Sequence, residues 1–102
     1  MTSSLRMAAI GVGNMGRNHV RVLRDMPEVD LVAVADADAA TAERVARTYR
    51  IESYTDPIEL MEKAKPQAVV VAVPTVHHFA VVTAALDRNI HVLVEKPIAA
   101  TV

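Results

Sequence analysis

Ile10-Gly11-Val12-Gly13-Asn14-Met15-Gly16 stands between the apolar run Met7-Ala8-Ala9 and a stretch of helical spacing. Each glycine in this G-x-G-x-x-G pattern has its own task. Gly11 permits a tight strand-to-helix turn, Gly13 lets backbone N–H groups approach a pyrophosphate, and Gly16 removes a Cβ where helix and strand pack closely. A helix beginning near Asn14 and Met15 aims its unpaired N–H groups and the positive end of its dipole at the same phosphates. Asp36 ends the second apolar run, Leu31-Val32-Ala33-Val34-Ala35, about 20 residues beyond Gly16, where a carboxylate accepts hydrogen bonds from an adenosine ribose. An isolated glycine pattern is as often a plain turn. Here the strand precedes, the helix follows and the acid lies at the right distance, so the stretch predicts a dinucleotide site. A carboxylate at position 36 repels a 2′-phosphate and Ala37 supplies no cation, which favours NAD over NADP.

The remaining composition narrows the class. With 102 residues the chain forms about one small domain, taken as 1–102, large enough to bury a core without staples. A formal net charge of −1 offers no surface for nucleic acid. There are no cysteines, and four histidines without thiols or an HxxxH spacing make no zinc site. Met1-Thr2-Ser3-Ser4-Leu5-Arg6 lacks the apolar core of a signal peptide and no apolar run reaches the length of a membrane span. The expectation is a cytoplasmic protein without membrane or nucleic-acid partners.

Short apolar runs alternate with segments of helical period, which predicts an α/β fold around a mostly parallel, doubly covered sheet of about five strands. Strands are expected near 6–12, 29–35, 52–55, 68–73 and 90–95. A first helix over about 14–26 aligns Met15, His19, Val22, Leu23 and Met26, and Pro27 ends it. A second over about 39–49 aligns Ala42, Val45, Ala46 and Tyr49. The third has the clearest start: Asp56 caps, Pro57 suits the first position and Glu59 completes a capping box. A fourth over about 76–87 presents Phe79, Val82, Ala85 and Leu86 before Asn89, which tolerates the left-handed cap conformation.

Two polar clusters follow apolar runs: Pro74-Thr75-Val76-His77-His78 after Ala68 to Val73, and Glu95-Lys96-Pro97 after His91-Val92-Leu93-Val94. In an open α/β sheet the carboxyl ends of the strands are where ligands bind. Together with GVGNMG and His19, these clusters resemble the N-terminal domain of the glucose-fructose oxidoreductase, inositol dehydrogenase and MocA family, across essentially the whole chain. The resemblance implies a Rossmann domain binding NAD or NADP, within an enzyme moving a hydride to or from a sugar, polyol or related carbonyl compound. It implies that Lys96 lies near nicotinamide and substrate, where an ammonium assists proton transfer to the reacting hydroxyl. Glu95, Pro97, Pro74, Thr75 and His78 fall at the matching cofactor positions. Thr75 stands where the family often has Asn, and Asn89 where it usually has Gly.

Bland readings stand beside these. His77 reads as a surface residue, His19 as a packed histidine, His78 as a first-turn helix residue, and Lys96 outside the motif as a solvated charge paired with Glu95. Pro97 suits a cis bond in a tight functional turn. The chain stops before a sixth strand and its helix, and before any substrate domain. That predicts a chain that binds cofactor without turnover, and a homo-oligomer, such as a dimer, formed through the uncovered edge near Val92 to Val94. The alternative is a stand-alone NAD-binding regulatory module with no catalytic role.

Overall fold

The computed structural model describes residues 5–73 and 75–94, with the backbone alone at 14–17, 75, 76 and 94. Pro74, Glu95, Lys96 and Pro97, with the expected cis bond, lie outside the described residues, as do the side chains of Asn14, Met15 and Thr75.

Strands and helices alternate without exception: β1 (Leu5–Ile10), α1 (Asn14–Asp25), β2 (Val29–Ala35), α2 (Ala39–Tyr49), β3 (Glu52–Tyr54), α3 (Pro57–Ala64), β4 (Ala68–Val71), α4 (Thr75–Asp87) and β5 (His91–Val94). All strand pairs are parallel, in the order β3-β2-β1-β4-β5. The chain therefore winds outward from β1 in one direction, crosses back over α3, and winds outward in the other. The order reverses between β1 and β4, and a crevice opens there at the carboxyl ends.

Both faces of the sheet are covered, as the apolar strands require. Ala8, Ile10, Val69 and Val71 point into one core with Leu60, Met61, Ala64, Val81, Ala84 and Ala85 of α3 and α4. The alternate residues Met7, Ala9, Ala68 and Val70 point into the other with Val20 and Leu23 of α1 and Val45 and Ala46 of α2. Ile10, Leu60, Val20, Val34 and Val69 are fully buried, each contributing about 1.5–3 kcal/mol by leaving water.

Local chemistry sets the helix ends. Asp38 caps α2 by accepting from the Ala40 N–H at 3.2 Å and the Thr41 hydroxyl at 2.9 Å, and the Thr41 bond holds its carboxyl below the usual range. Asp56 accepts from the Ile58 N–H at 2.9 Å with Pro57 at the first turn of α3. Glu59 leaves the expected capping box half made: it pairs with Lys63 at 3.1 Å, one helical turn on, and makes no bond back to the Asp56 N–H. Helices α2 and α4 end alike. Arg50 (φ 57°) and Asn89 (φ 59°) are left-handed, and the next N–H groups, of Ile51 and Ile90, reach back to Ala46 O at 3.0 Å and Ala85 O at 2.9 Å.

Two expected helix faces are turned. Among the described side chains of α1 the buried residues are Val20 and Leu23, while Val22 is 54 % exposed and Met26 lies beyond the helix. On α4 the inner face is Val81, Ala84 and Ala85, while Phe79 is 82 % and Leu86 60 % exposed. Helix α4 is apolar around most of its circumference, so periodicity cannot choose a face; the small alanines win the inner position because they let the helix approach the sheet.

Candidate cofactor site

The glycine turn lies at the crevice because β1 ends there. Gly11 has φ +88°, and a Cβ on it would come within 2.6 Å of the Ala72 carbonyl oxygen and 3.0 Å of Val73 Cγ1 at the end of β4. Only glycine fits. The turn is tied on both sides, by Gly11 N–H to Ala35 O and by Ala72 N–H to Ile10 O, each 2.8 Å. Gly13 differs: nothing lies within 4 Å of where its Cβ would be, and it precedes α1 with no side chain capping the helix. Open space and unclaimed N–H groups at a helix start suit an anion.

Asp36 follows β2 directly and is half-buried. Its Oδ2 accepts from the Val12 N–H at 3.0 Å and its Oδ1 from the Asp38 N–H at 2.9 Å, so the carboxylate spans the glycine turn and the loop before α2. Its own N–H donates to Tyr54 O at 3.0 Å, carrying the β2–β3 ladder one residue further.

These pieces line one cleft of about 560 Å³, bounded by Ile10, Gly11 and Gly13, by Ala35, Asp36 and Ala37, by Thr55 and Pro57 after β3, and by Ala72, Val73, His77, Ala80 and Val81 from β4 and α4. Its walls are mainly apolar with a carboxylate on one side and a glycine turn at the base, as a dinucleotide's adenosine end requires. Among the described residues no cluster of His, Cys, Asp or Glu is placed to hold a metal ion. No helix of the described residues is long and apolar enough to cross a membrane.

Of the residues singled out in the sequence, Gly11, Gly13 and Asp36 meet in this cleft. The backbone of Asn14, Met15 and Gly16 opens α1 beside it. His78 is half-buried and is not among the lining residues; His77 takes that place, one face with Ala80 and Val81. Thr55 and Pro57 were not expected at the site, although their position just past β3 at the carboxyl edge marks them.

Residues 5–102 match the model of a family described as "Oxidoreductase family, NAD-binding Rossmann fold", GFO_IDH_MocA. The chain belongs to this family. It is 40 % identical over 96 residues to inositol 2-dehydrogenase 4 of Saccharopolyspora erythraea, covering 92 % of this chain and 28 % of that protein. Among solved structures it resembles myo-inositol dehydrogenase of Lactobacillus casei in complex with NAD(H) and myo-inositol, with 33 % identity and a TM-score of 0.84 over 96 % of this chain and 30 % of that one. It also resembles UDP-N-acetylglucosamine 3-dehydrogenase of Acidithiobacillus ferrooxidans, with 34 % identity and a TM-score of 0.83 over 92 % and 30 % of the two chains. The chain thus spans under a third of the length of these relatives and corresponds to their NAD-binding Rossmann domain.

Proposed function

We propose that this domain holds the cofactor of an oxidoreductase that moves a hydride between NAD and a polyol, sugar or related carbonyl compound. The observation that carries this reading is the joining of the glycine turn and Asp36 in one cleft at the point where strand order reverses. The inositol dehydrogenases among its relatives support a cyclic polyol as the substrate class.

With the adenosine end of the dinucleotide in the cleft, its nicotinamide would supply the hydride acceptor or donor. The chain's residues do the rest. Gly11, Gly13 and the N–H groups of Asn14, Met15 and Gly16 bind and orient the pyrophosphate. Asp36 accepts from the adenosine ribose hydroxyls, selecting NAD over NADP because a 2′-phosphate would meet its negative charge. The family resemblance assigns Pro74, Thr75, His78, Glu95 and Pro97 to the nicotinamide end of the cofactor. Lys96 holds a proton near the reacting hydroxyl and assists its transfer. Phe79, Leu86 and Leu93, all exposed on α4 and the edge strand β5, support association with a second copy through that edge. The lack of cysteine supports a cytoplasmic setting.

Calorimetry with NAD and NADP, paired with a polyol turnover assay, tests the reading. The expected result is NAD binding tighter than NADP, with no turnover by this domain by itself. Tighter NADP binding overturns the cofactor preference, binding of neither overturns the cofactor site, and polyol turnover by the 102-residue chain overturns the need for a second domain.

A further inference from the structure

We infer that Asp36 positions the phosphate-binding turn through its carboxylate, independently of any contact with the ribose. The inference rests on the cofactor reading above and adds a second task to the residue that sets cofactor preference.

Val12 is 1 % exposed, and its N–H lies past the end of the β1 ladder and before the first hydrogen bond of α1. No strand carbonyl takes this N–H; Asp36 Oδ2 does, at 3.0 Å. A buried N–H left without an acceptor is costly, so the carboxylate fixes the orientation of the peptide that leads into Gly13. The other oxygen, Oδ1, holds the Asp38 N–H at 2.9 Å, so the same group also ties down the loop whose Ala37 lines the cleft. A carboxylate has about four acceptor positions. Two are taken by backbone, and two remain for ribose hydroxyls, so both tasks coexist. Serine would be too short to reach Val12, and asparagine has one acceptor oxygen for two N–H groups.

The test is a cycle between protein and ligand. NAD and its 2′,3′-dideoxyadenosine analogue, which has no adenosine hydroxyls to bind, are titrated calorimetrically into the unaltered chain, Asp36→Asn and Asp36→Ala. If Asp36 acted only on the ribose, the substitutions would not alter affinity for the analogue. We expect instead about tenfold weaker analogue binding in Asp36→Ala and a smaller loss in Asp36→Asn, the size of one or two charge-assisted hydrogen bonds to backbone. Amide exchange in the ligand-free chain provides a second readout: protection at Val12 falls in Asp36→Ala, and at Val12 or Asp38 in Asp36→Asn, while that at Val69, in the core of β4, is unchanged. Asp36→Asn keeps the side-chain shape and serves if Asp36→Ala fails to fold. Unaltered analogue affinity together with unaltered Val12 protection overturns the inference. An unaltered chain that binds neither dinucleotide overturns the cofactor reading instead, and the Val12 exchange then decides the clamp by itself.

Discussion

Gly11 and Ala72 stand at the ends of neighbouring strands β1 and β4, so close that a Cβ on Gly11 would lie 2.6 Å from the Ala72 carbonyl oxygen. The contact occurs where the strand order reverses, and it joins the two halves of the sheet beside the cleft, which both residues line. The first glycine of the motif thus serves the fold before it serves any ligand.

Gly11→Ala is expected to destabilise the domain by about 3 kcal/mol or more, because a positive φ is strained for alanine and the neighbour is backbone, which cannot step aside. Denaturant unfolding measures it. A loss below about 1 kcal/mol would mean that the two strand ends separate easily.

Gly13→Ala should do the reverse. Nothing lies within 4 Å of the new methyl group, so the loss of stability should be smaller than that of Gly11→Ala. NAD affinity should fall about tenfold or more, because the methyl occupies the space where the pyrophosphate approaches the backbone. Calorimetry beside a melting curve separates the two effects, and unchanged affinity would place the phosphates elsewhere.

Much of this was legible in the residues, and the exceptions have physical causes. The apolar runs marked β1, β2 and β4 because each of these strands sends buried residues into both cores, and Asp56-Pro57 marked α3 because capping is local; β3 and β5, at the sheet edges, are partly exposed. The inner face of α4 was only partly legible: of the expected stripe Phe79, Val82, Ala85 and Leu86, Ala85 lies inward, but its companions there are Val81 and Ala84, and Phe79 and Leu86 are exposed. His77 and His78 are adjacent in sequence and point about 100° apart on the helix, so only the orientation of α4 decides which enters the cleft. Nor could spacing reveal that Asp36 accepts from Val12 N–H, a contact across 24 positions made by the pairing of β1 with β2.

Tyr54 offers a pH test. Its hydroxyl donates to Glu52 at 2.6 Å, and that bond, with burial and the carboxylate charge, pushes its pKa up to about 12. A raised pKa favours the protonated form in the folded chain, so the contribution is complete below pH 10 and is lost as pH rises through about 12. Solvent at this site limits the loss to the order of 1 kcal/mol. Ultraviolet titration should show one of the two tyrosines ionising late, and Tyr54→Phe should remove that step.

Arg50 occupies a left-handed position that glycine usually fills at the end of a helix. Its side chain is exposed, so Arg50→Gly relieves backbone strain at little cost in contacts. The expected gain is about 0.5 kcal/mol, the left-handed penalty less the entropy of a more flexible unfolded chain, read from the denaturation midpoint. A destabilised variant would show that the arginine side chain holds the turn.

Phe79, 82 % exposed on α4, and Leu93, 54 % exposed on β5, bear on association. Strand β5 ends the sheet, so its outer hydrogen-bonding edge is open among the described residues; Leu93, in register with Val70, faces the α1 side of the sheet, and Leu86 is exposed on α4 on the other side. Burying a phenylalanine and a leucine from each of two copies is worth several kcal/mol, enough to hold a dimer at micromolar concentration when strand pairing adds to it. Sedimentation should therefore find a dimer at high micromolar concentration. Phe79→Asp should shift it at least tenfold toward monomer without lowering the unfolding midpoint of the monomer, since the ring makes little contact with its own core. A clean monomer in the unaltered chain would rule out this edge as an interface between copies.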